Sequence, residues 1–247
     1  MPDTYKQQIA AFSAEIDWDF WRNPQGVSIP DDELDFLLVP DAVEAAAVAD
    51  LAQQVHRYQQ DNAGTADAIG CALIVTMGGM LPGVLIYDHL VEGRGANHPR
   101  IEFGTVGVSL YKGPGELYDE PQVNHGISVS VTDKTVLLID DLVDRGGTMA
   151  FLNGHVLDSG AHKTLSLVLY MKPAAKARGA ADFYFGELPQ DTWIITPREL
   201  VETLVKRVPV WKQRGANEAE CRRRLVEIIG FPTAVVEAYL PRVYLHA

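Results

Sequence analysis

Apolar residues between positions 41 and 60 recur at near-helical spacing: Val43, Ala47, Val48, Leu51, Ala52, Val55 and Tyr58. Pro40 and Asp41 precede this run and Asn62-Ala63-Gly64 follows it, so the stretch predicts an amphipathic helix with its own start and stop. From residue 66 the period changes. Short apolar runs at Ala72 to Val75, Ile127 to Val131, Val136 to Ile139 and Thr164 to Tyr170 are each followed by Gly or Asp and then by helix-like sequence. That alternation predicts an α/β fold built on a doubly wound, mostly parallel sheet, which places its sites at the carboxyl ends of strands. Between Gly104 and Val131 the pattern predicts two strands around a polar excursion, Lys112-Gly113-Pro114-Gly115-Glu116, with the composition of a mobile loop. Near the start, Ile16, Trp18 and Phe20 alternate with acidic residues, as in a half-buried strand. After residue 200 the chain turns helical, with Glu218 to Ile229 ending at Gly230 and a second segment from Thr233 to Leu240.

Composition narrows the function classes. The 247 residues carry 21 Lys and Arg against 33 Asp and Glu, a net charge of −12. Non-specific nucleic-acid binding rests on clustered cations. Here even Arg222-Arg223-Arg224 is flanked by Glu218, Glu220 and Glu227, so no nucleic-acid partner is expected. No run reaches the roughly 18 apolar residues of a membrane span, and the first ten residues lack the basic and apolar regions of a leader. Cys71 and Cys221 stand alone, without CxxC or zinc-type His spacing. These features predict a cytoplasmic protein without a membrane partner. The acidic excess suits either high salt or simple solubility.

The strongest chemical signal is Val136-Leu137-Leu138-Ile139-Asp140-Asp141-Leu142-Val143-Asp144-Arg145-Gly146-Gly147-Thr148. A buried strand ends in two carboxylates, and a small Gly-rich turn then enters a helix-like segment, Met149 to Leu157. Such a turn aims backbone N–H groups and a hydroxyl at one anion, helped by the positive end of the helix, and a phosphate monoester fits it. It is neither a Walker loop nor a dinucleotide fingerprint. Paired carboxylates beside a phosphate cradle suit hydroxyl recognition and a hard cation such as Mg²⁺. His89, His98, His125 and His155 have no spacing that suggests a metal site or a nucleophile partner.

The run Ile139 to Thr148 resembles the phosphoribosyl-pyrophosphate (PRPP) signature of the type I phosphoribosyltransferases, closest to the xanthine-guanine and hypoxanthine-guanine branch. Three further segments agree in order. Ile74 to Gly83 is similar to the family's pyrophosphate loop, Met171-Lys172-Pro173 to its base-recognition lysine, and Leu188-Pro189-Gln190-Asp191-Thr192-Trp193-Ile194 to its purine-stacking segment. The resemblance spans roughly residues 66 to 200. It implies a phosphoribosyltransferase domain there and says little about either end; the N-terminal extension over 1–65, with Trp18, Phe20 and Trp21, would suit a small hood, an interface or both, and a C-terminal helical extension covers 201–247.

Carried over residue by residue, the resemblance implies that Asp140 and Asp141 hold the ribose hydroxyls of PRPP, directly or through Mg²⁺ and water. Asp144 faces N7 of the purine as a catalytic carboxylate, and Asp144, Arg145, Gly146, Gly147 and Thr148 form the 5′-phosphate site. Met77, Gly78 and Gly79 form the pyrophosphate loop. Lys172 donates to the 6-oxo group, since an ammonium has donors and no acceptor, and Trp193 stacks on the base beside Ile194. Taken alone, Lys172 reads as a surface lysine, Trp193 as a core aromatic and Gly78-Gly79 as a tight turn with Pro82 in the next helix. Two positions depart from the family: Met77 stands where Arg or Lys is usual, and Arg145 where Thr or Ser is commoner. Arg94, Arg100 and Lys112 are candidate sources of the missing charge. Ser109 and Tyr111 lie near the expected catalytic loop.

The activity implied is transfer of the 5-phosphoribosyl group of PRPP to hypoxanthine, guanine or xanthine, giving a nucleoside monophosphate and pyrophosphate. Family resemblance also implies a homodimer or higher homo-oligomer. Two other readings stay open: a non-catalytic nucleotide or PRPP sensor of the same fold, favoured by Met77, and a transferase for another base, for which Lys172 is the discriminating residue.

Overall fold

The computed structural model describes residues 16–95, 99–113 and 116–247, with the side chains of 109–120 outside that description. The chain divides into two compact units, one of Ala45–Gln190 and one of Met1–Glu44 with Asp191–Ala247.

The larger unit is built on a six-stranded sheet of β3 (Ile69–Thr76), β4 (Glu102–Gly113), β5 (Glu116–His125), β6 (Thr135–Val143), β7 (Lys163–Met171) and β8 (Phe183–Glu187), in the order β5-β4-β3-β6-β7-β8. All neighbours run parallel except β4 and β5. The expected doubly wound, mostly parallel α/β sheet is therefore present. Its central strands read as near-continuous apolar runs because both faces are covered: Val136, Leu137, Leu138 and Ile139 of β6 are fully buried. The core gathers Leu73, Val75, Leu138, Met149, Leu152, Val156 and Val168 from strands and from the helix Gly147–Asp158. The predicted amphipathic helix spans Asp41–Asp61. Near its end the buried Gln59 side chain accepts from the Ile69 N–H (2.6 Å) and donates to the Ile69 carbonyl (3.0 Å), which ties helix to β3 and satisfies a buried amide.

Two sequence expectations are corrected. Ile127 to Val131 is not a strand. β4 is already paired with β3 and with β5, so the segment can only connect β5 to β6; Ser128 N–H makes one backbone bond to Thr105 while Ile127, Val129 and Val131 pack on the core. Trp18 to Arg22 is helical although Ile16, Trp18 and Phe20 alternate with polar residues. Asp17 caps the Phe20 N–H at 3.0 Å, Asp19 lies in the first turn and Arg22 in the last, and Trp18 and Phe20 stay exposed, so no buried face rewards the strand. The strands around the polar excursion run further than expected, to Gly113 and from Glu116. Pro114 and Gly115 lie outside the described residues.

The smaller unit pairs β1 (Val27–Ser28), β2 (Asp35–Leu38) and β9 (Thr192–Ile195) in one sheet, β2 and β9 parallel. Helices Leu200–Gln213, Glu218–Arg223 and Thr233–His246 supply Leu204, Val208, Trp211, Cys221 and Val236 to its core, with a π-helical stretch over Arg224–Ile229. The last helix outruns the predicted end at Leu240 by six residues. Inside this unit Asp32 is fully enclosed and receives Arg207 at 2.5 Å, the Trp211 indole N–H at 2.6 Å and the Leu34 N–H at 3.1 Å. Burial pushes its carboxyl up, but these hydrogen bonds outweigh it and hold Asp32 below the usual carboxylate range. Burial, the largest of several influences, raises both thiols, Cys71 and Cys221, to about 11, so they stay protonated near neutrality.

Because the folded Asp32 value lies below the unfolded one, its contribution is complete above the ordinary carboxylate value and fades as pH falls through the lowered folded one. Asp32→Asn should lower unfolding free energy by about 3 kcal/mol at pH 7, and the gap to wild type should shrink in urea melts at pH 3. A second test concerns Gly79, which has an ordinary φ of −72° but whose added Cβ would lie 2.0 Å from the Ile139 carbonyl oxygen. Gly79→Ala should cost roughly 3 kcal/mol in thermal unfolding. Gly78→Ala, which meets only side-chain ends, should cost about 1 kcal/mol.

Candidate active site

Parallel pairing brings the carboxyl ends of β3, β6 and β7 side by side. β6 continues past the apolar run, with Asp140 opposite Val168 and Val143 opposite Met171, so Asp140 and Asp141 are held within the strand. The two half-buried carboxylates converge on the turn after β3, since a Cβ on Gly78 would fall 2.4 Å from Asp140 Oδ1 and 2.6 Å from Asp141 Oδ1. The missing Cβ is what lets the turn lie against both acids. Asp141 N–H also donates to Asp140 Oδ1 at 3.0 Å.

After Val143 the backbone turns through Gly146, whose φ of +83° suits glycine, into the helix Gly147–Asp158. A side chain at Gly146 would also meet Ala180 Cβ at 2.9 Å. The first-turn N–H groups of this helix have no intrahelical acceptors and face the loop with the positive end of the dipole. Asp140, Asp144, Arg145, Gly146, Gly147, Thr148 and Met149 line a cavity of about 380 Å³ over this turn. The structure thus gathers the predicted 5′-phosphate residues around one space. Arg178 donates to the Arg145 carbonyl at 3.3 Å and braces the loop from outside.

Lys172 follows β7, its backbone N–H bonded to the Val143 carbonyl at 3.0 Å. Its side chain is only 10% exposed, and Nζ lies 3.4 Å from Asp144 Oδ1, whereas Asp144 is half exposed at the cavity. A buried lysine that ends beside a solvent-facing carboxylate brings a donor and an acceptor to one rim. Gln190 completes the group, donating from Nε2 to Asp144 Oδ1 at 2.7 Å and accepting from Ala174 N–H at 3.2 Å. Neither Gln190 nor Arg178 stands out in the sequence as a site residue, because Gln190 reaches Asp144 across 46 positions and Arg178 reaches Arg145 across 33.

Met77 is 69% exposed and the Thr76–Met77 peptide is cis. Of the candidate substitute cations, Arg94 donates to the Val91 carbonyl, Arg100 lines a different cavity with Tyr87 and Phe103, and the Lys112 side chain lies outside the described residues. Trp193 and Ile194 belong to the smaller unit, in β9. There the Trp193 indole N–H donates to Thr203 Oγ1 at 3.1 Å, and the Lys206 ammonium and the Arg207 guanidinium lie 5.7 and 5.9 Å from the ring centre.

Among the described residues no three His, Cys, Asp or Glu side chains cluster as a metal cage. The donor set at Asp140 and Asp141 consists of two carboxylates, which fits a hard cation that completes its shell with water and substrate oxygens. Among the same residues no helix is long and apolar enough to cross a membrane.

Comparison with known proteins places this geometry. A xanthine-guanine phosphoribosyltransferase of Idiomarina loihiensis is 29% identical over 128 residues, 52% of this chain and 70% of the relative. One of Gluconobacter oxydans is 30% identical over 123 residues, 50% of this chain and 64% of the relative. The crystal structure of a purine phosphoribosyltransferase from Pyrococcus horikoshii shares the fold, with a TM-score of 0.51 and 23% identity over 66% of this chain and 92% of that one. The phosphoribosyl transferase domain model matches residues 41–201, which include β3, β6, β7 and every residue of the cradle, and the chain belongs to that family.

Proposed function

We propose that the chain is a PRPP-dependent purine phosphoribosyltransferase acting on 6-oxopurines. The observation that carries this reading is the buried Lys172 ammonium, 3.4 Å from Asp144 on the rim of the Gly146-Gly147 cradle. A phosphate site alone needs no buried donor beside it; a 6-oxopurine does, because its exocyclic oxygen accepts and its ring nitrogen carries a proton. The xanthine-guanine names of the relatives support the same base class.

In this reading the helix N-terminus, Thr148 and the Arg145–Gly147 backbone hold the 5′-phosphate, and Asp140 and Asp141 hold the ribose hydroxyls. Asp140 and Asp141 would also hold a Mg²⁺ ion, which would supply charge to the leaving pyrophosphate. The purine N9–C1′ bond forms as the bond from C1′ to the pyrophosphate oxygen breaks, and the bonding pair leaves on pyrophosphate. Charge at the anomeric carbon grows as in other glycosyl transfers. Asp144 takes the purine proton at N7, and Lys172 holds the 6-oxo group.

The exposed Met77 favours a second reading, a protein that binds PRPP or a purine nucleotide without turnover, since an apolar side chain stands where a cation is usual. Pyrophosphate release separates the two. With PRPP and Mg²⁺ the wild type should release pyrophosphate with hypoxanthine, guanine or xanthine and not with adenine or without base. Lys172→Ala should lower kcat/KM for the 6-oxopurine by roughly 10- to 100-fold, and Asp144→Asn should lower kcat by about 100-fold or more. Absence of release with every base, alongside calorimetric binding of PRPP, would establish the sensor instead.

A further inference from the structure

Asp144 sits on an exposed turn, yet its role requires a fixed carboxylate, and what fixes it is Gln190. The Gln190 amide spans two partners in one unit of the molecule: Oε1 accepts from the Ala174 N–H at 3.2 Å and Nε2 donates to Asp144 Oδ1 at 2.7 Å. A backbone N–H can only donate, so the amide oxygen must face Ala174 and the NH₂ must face Asp144. The orientation is set by the backbone. Ala174 follows Pro173 in the short helix Pro173–Lys176, whose cap position, Lys172, provides no side-chain cap. Gln190 therefore satisfies an orphan donor of that turn and steers Asp144 with the same group.

We propose that Gln190 is a positioning residue for the transferase reaction, acting through Asp144. Lys172 approaches the same oxygen, Oδ1, at 3.4 Å, which is longer than a good charge-assisted hydrogen bond. With Gln190 in place Oδ1 is held by a short bond, Oδ2 is left to meet the base, and the Lys172 protons stay available to the 6-oxo group. With Gln190 removed, that short bond no longer opposes the pull of the ammonium, and Asp144 turns onto Lys172 and takes up the donor meant for the 6-oxo group. A hydrogen bond from an uncharged donor to an ionised acceptor belongs to the stronger class, so the catalytic effect should be about tenfold.

This inference rests on the transferase reading, and the experiment separates the two. Steady-state kinetics of wild type, Gln190→Ala, Gln190→Glu and Asp144→Asn, and of Gln190→Ala in the Asp144→Asn background, would be measured with guanine. Gln190→Ala should lower kcat about tenfold with KM for PRPP within about twofold, and it should add nothing in the Asp144→Asn background. Gln190→Glu should lose activity near neutrality, where the introduced carboxylate cannot donate, and recover relative to wild type as pH falls and it protonates. Loss by the same factor in both backgrounds, or a Gln190→Ala kcat within twofold of wild type, overturns the proposal while leaving the transferase reading intact. If the wild type turns over no base, the transferase reading fails and calorimetric GMP affinity decides for Gln190. Roughly fivefold weaker binding by Gln190→Ala then supports the positioning role, whereas unchanged affinity, or no GMP binding by the wild type, overturns it.

Discussion

The site depends on how closely the turn after β3 lies on the end of β6. At Gly79 the approach is so tight that a methyl group would fall 2.0 Å from the Ile139 carbonyl oxygen, and at Gly78 the nearest groups are the Asp140 and Asp141 carboxylates themselves. Two adjoining parallel strands would be about 4.8 Å apart in any sheet. What is particular here is that the chain stays in contact after the pairing ends. A loop pressed against two acids can share a polyanionic substrate with them only if the approaching groups are backbone, and the two glycines meet that condition.

From that contact the rest follows by short reach. β6 carries the acids, its exit carries the phosphate cradle, and β7, paired with β6 through Val143 and Met171, delivers Lys172 one residue later. Lys172 N–H bonded to the Val143 carbonyl extends the pairing by one step, which places the root of the lysine beside the root of the cradle. Register between β6 and β7 sets the distance between the root of the Gly146-Gly147 turn and the lysine.

This explains why much of the site was legible in the residues. The acids, cradle and lysine lie directly at or after apolar runs whose strand character is unmistakable, so their place at the carboxyl end of a parallel sheet follows from pattern alone. Helix Asp41–Asp61 was legible for the same reason, being long and periodic. Ile127 to Val131 misled because apolar residues that fill the core from a connection look the same as a short buried strand, and only the pairing of β4 on both sides distinguishes them. Trp18 to Arg22 misled because a cap from Asp17 outweighs an alternating pattern over so few residues. Gln190 was invisible as a site residue since an amide carries no charge, and its partners Ala174 and Asp144 lie 16 and 46 positions away.

Met77 marks where the chain departs from the charge logic of its own site. The protein carries a net charge of −12, and the turn where a second phosphate group is expected ends in an exposed apolar side chain. Arg145 instead lies in the Gly146-Gly147 cradle, where Arg178 braces its carbonyl. Such an arrangement would hold the phosphate retained in product more firmly than the leaving one. In the proposed reaction the backbone N–H groups of the Gly78-Gly79 turn would then bear a larger share of the leaving charge than in a site with a lysine or arginine at that position. In that proposed reaction the two departures from the family, Met77 and Arg145, would shift charge in the same direction, from the bond that breaks toward the phosphate that stays.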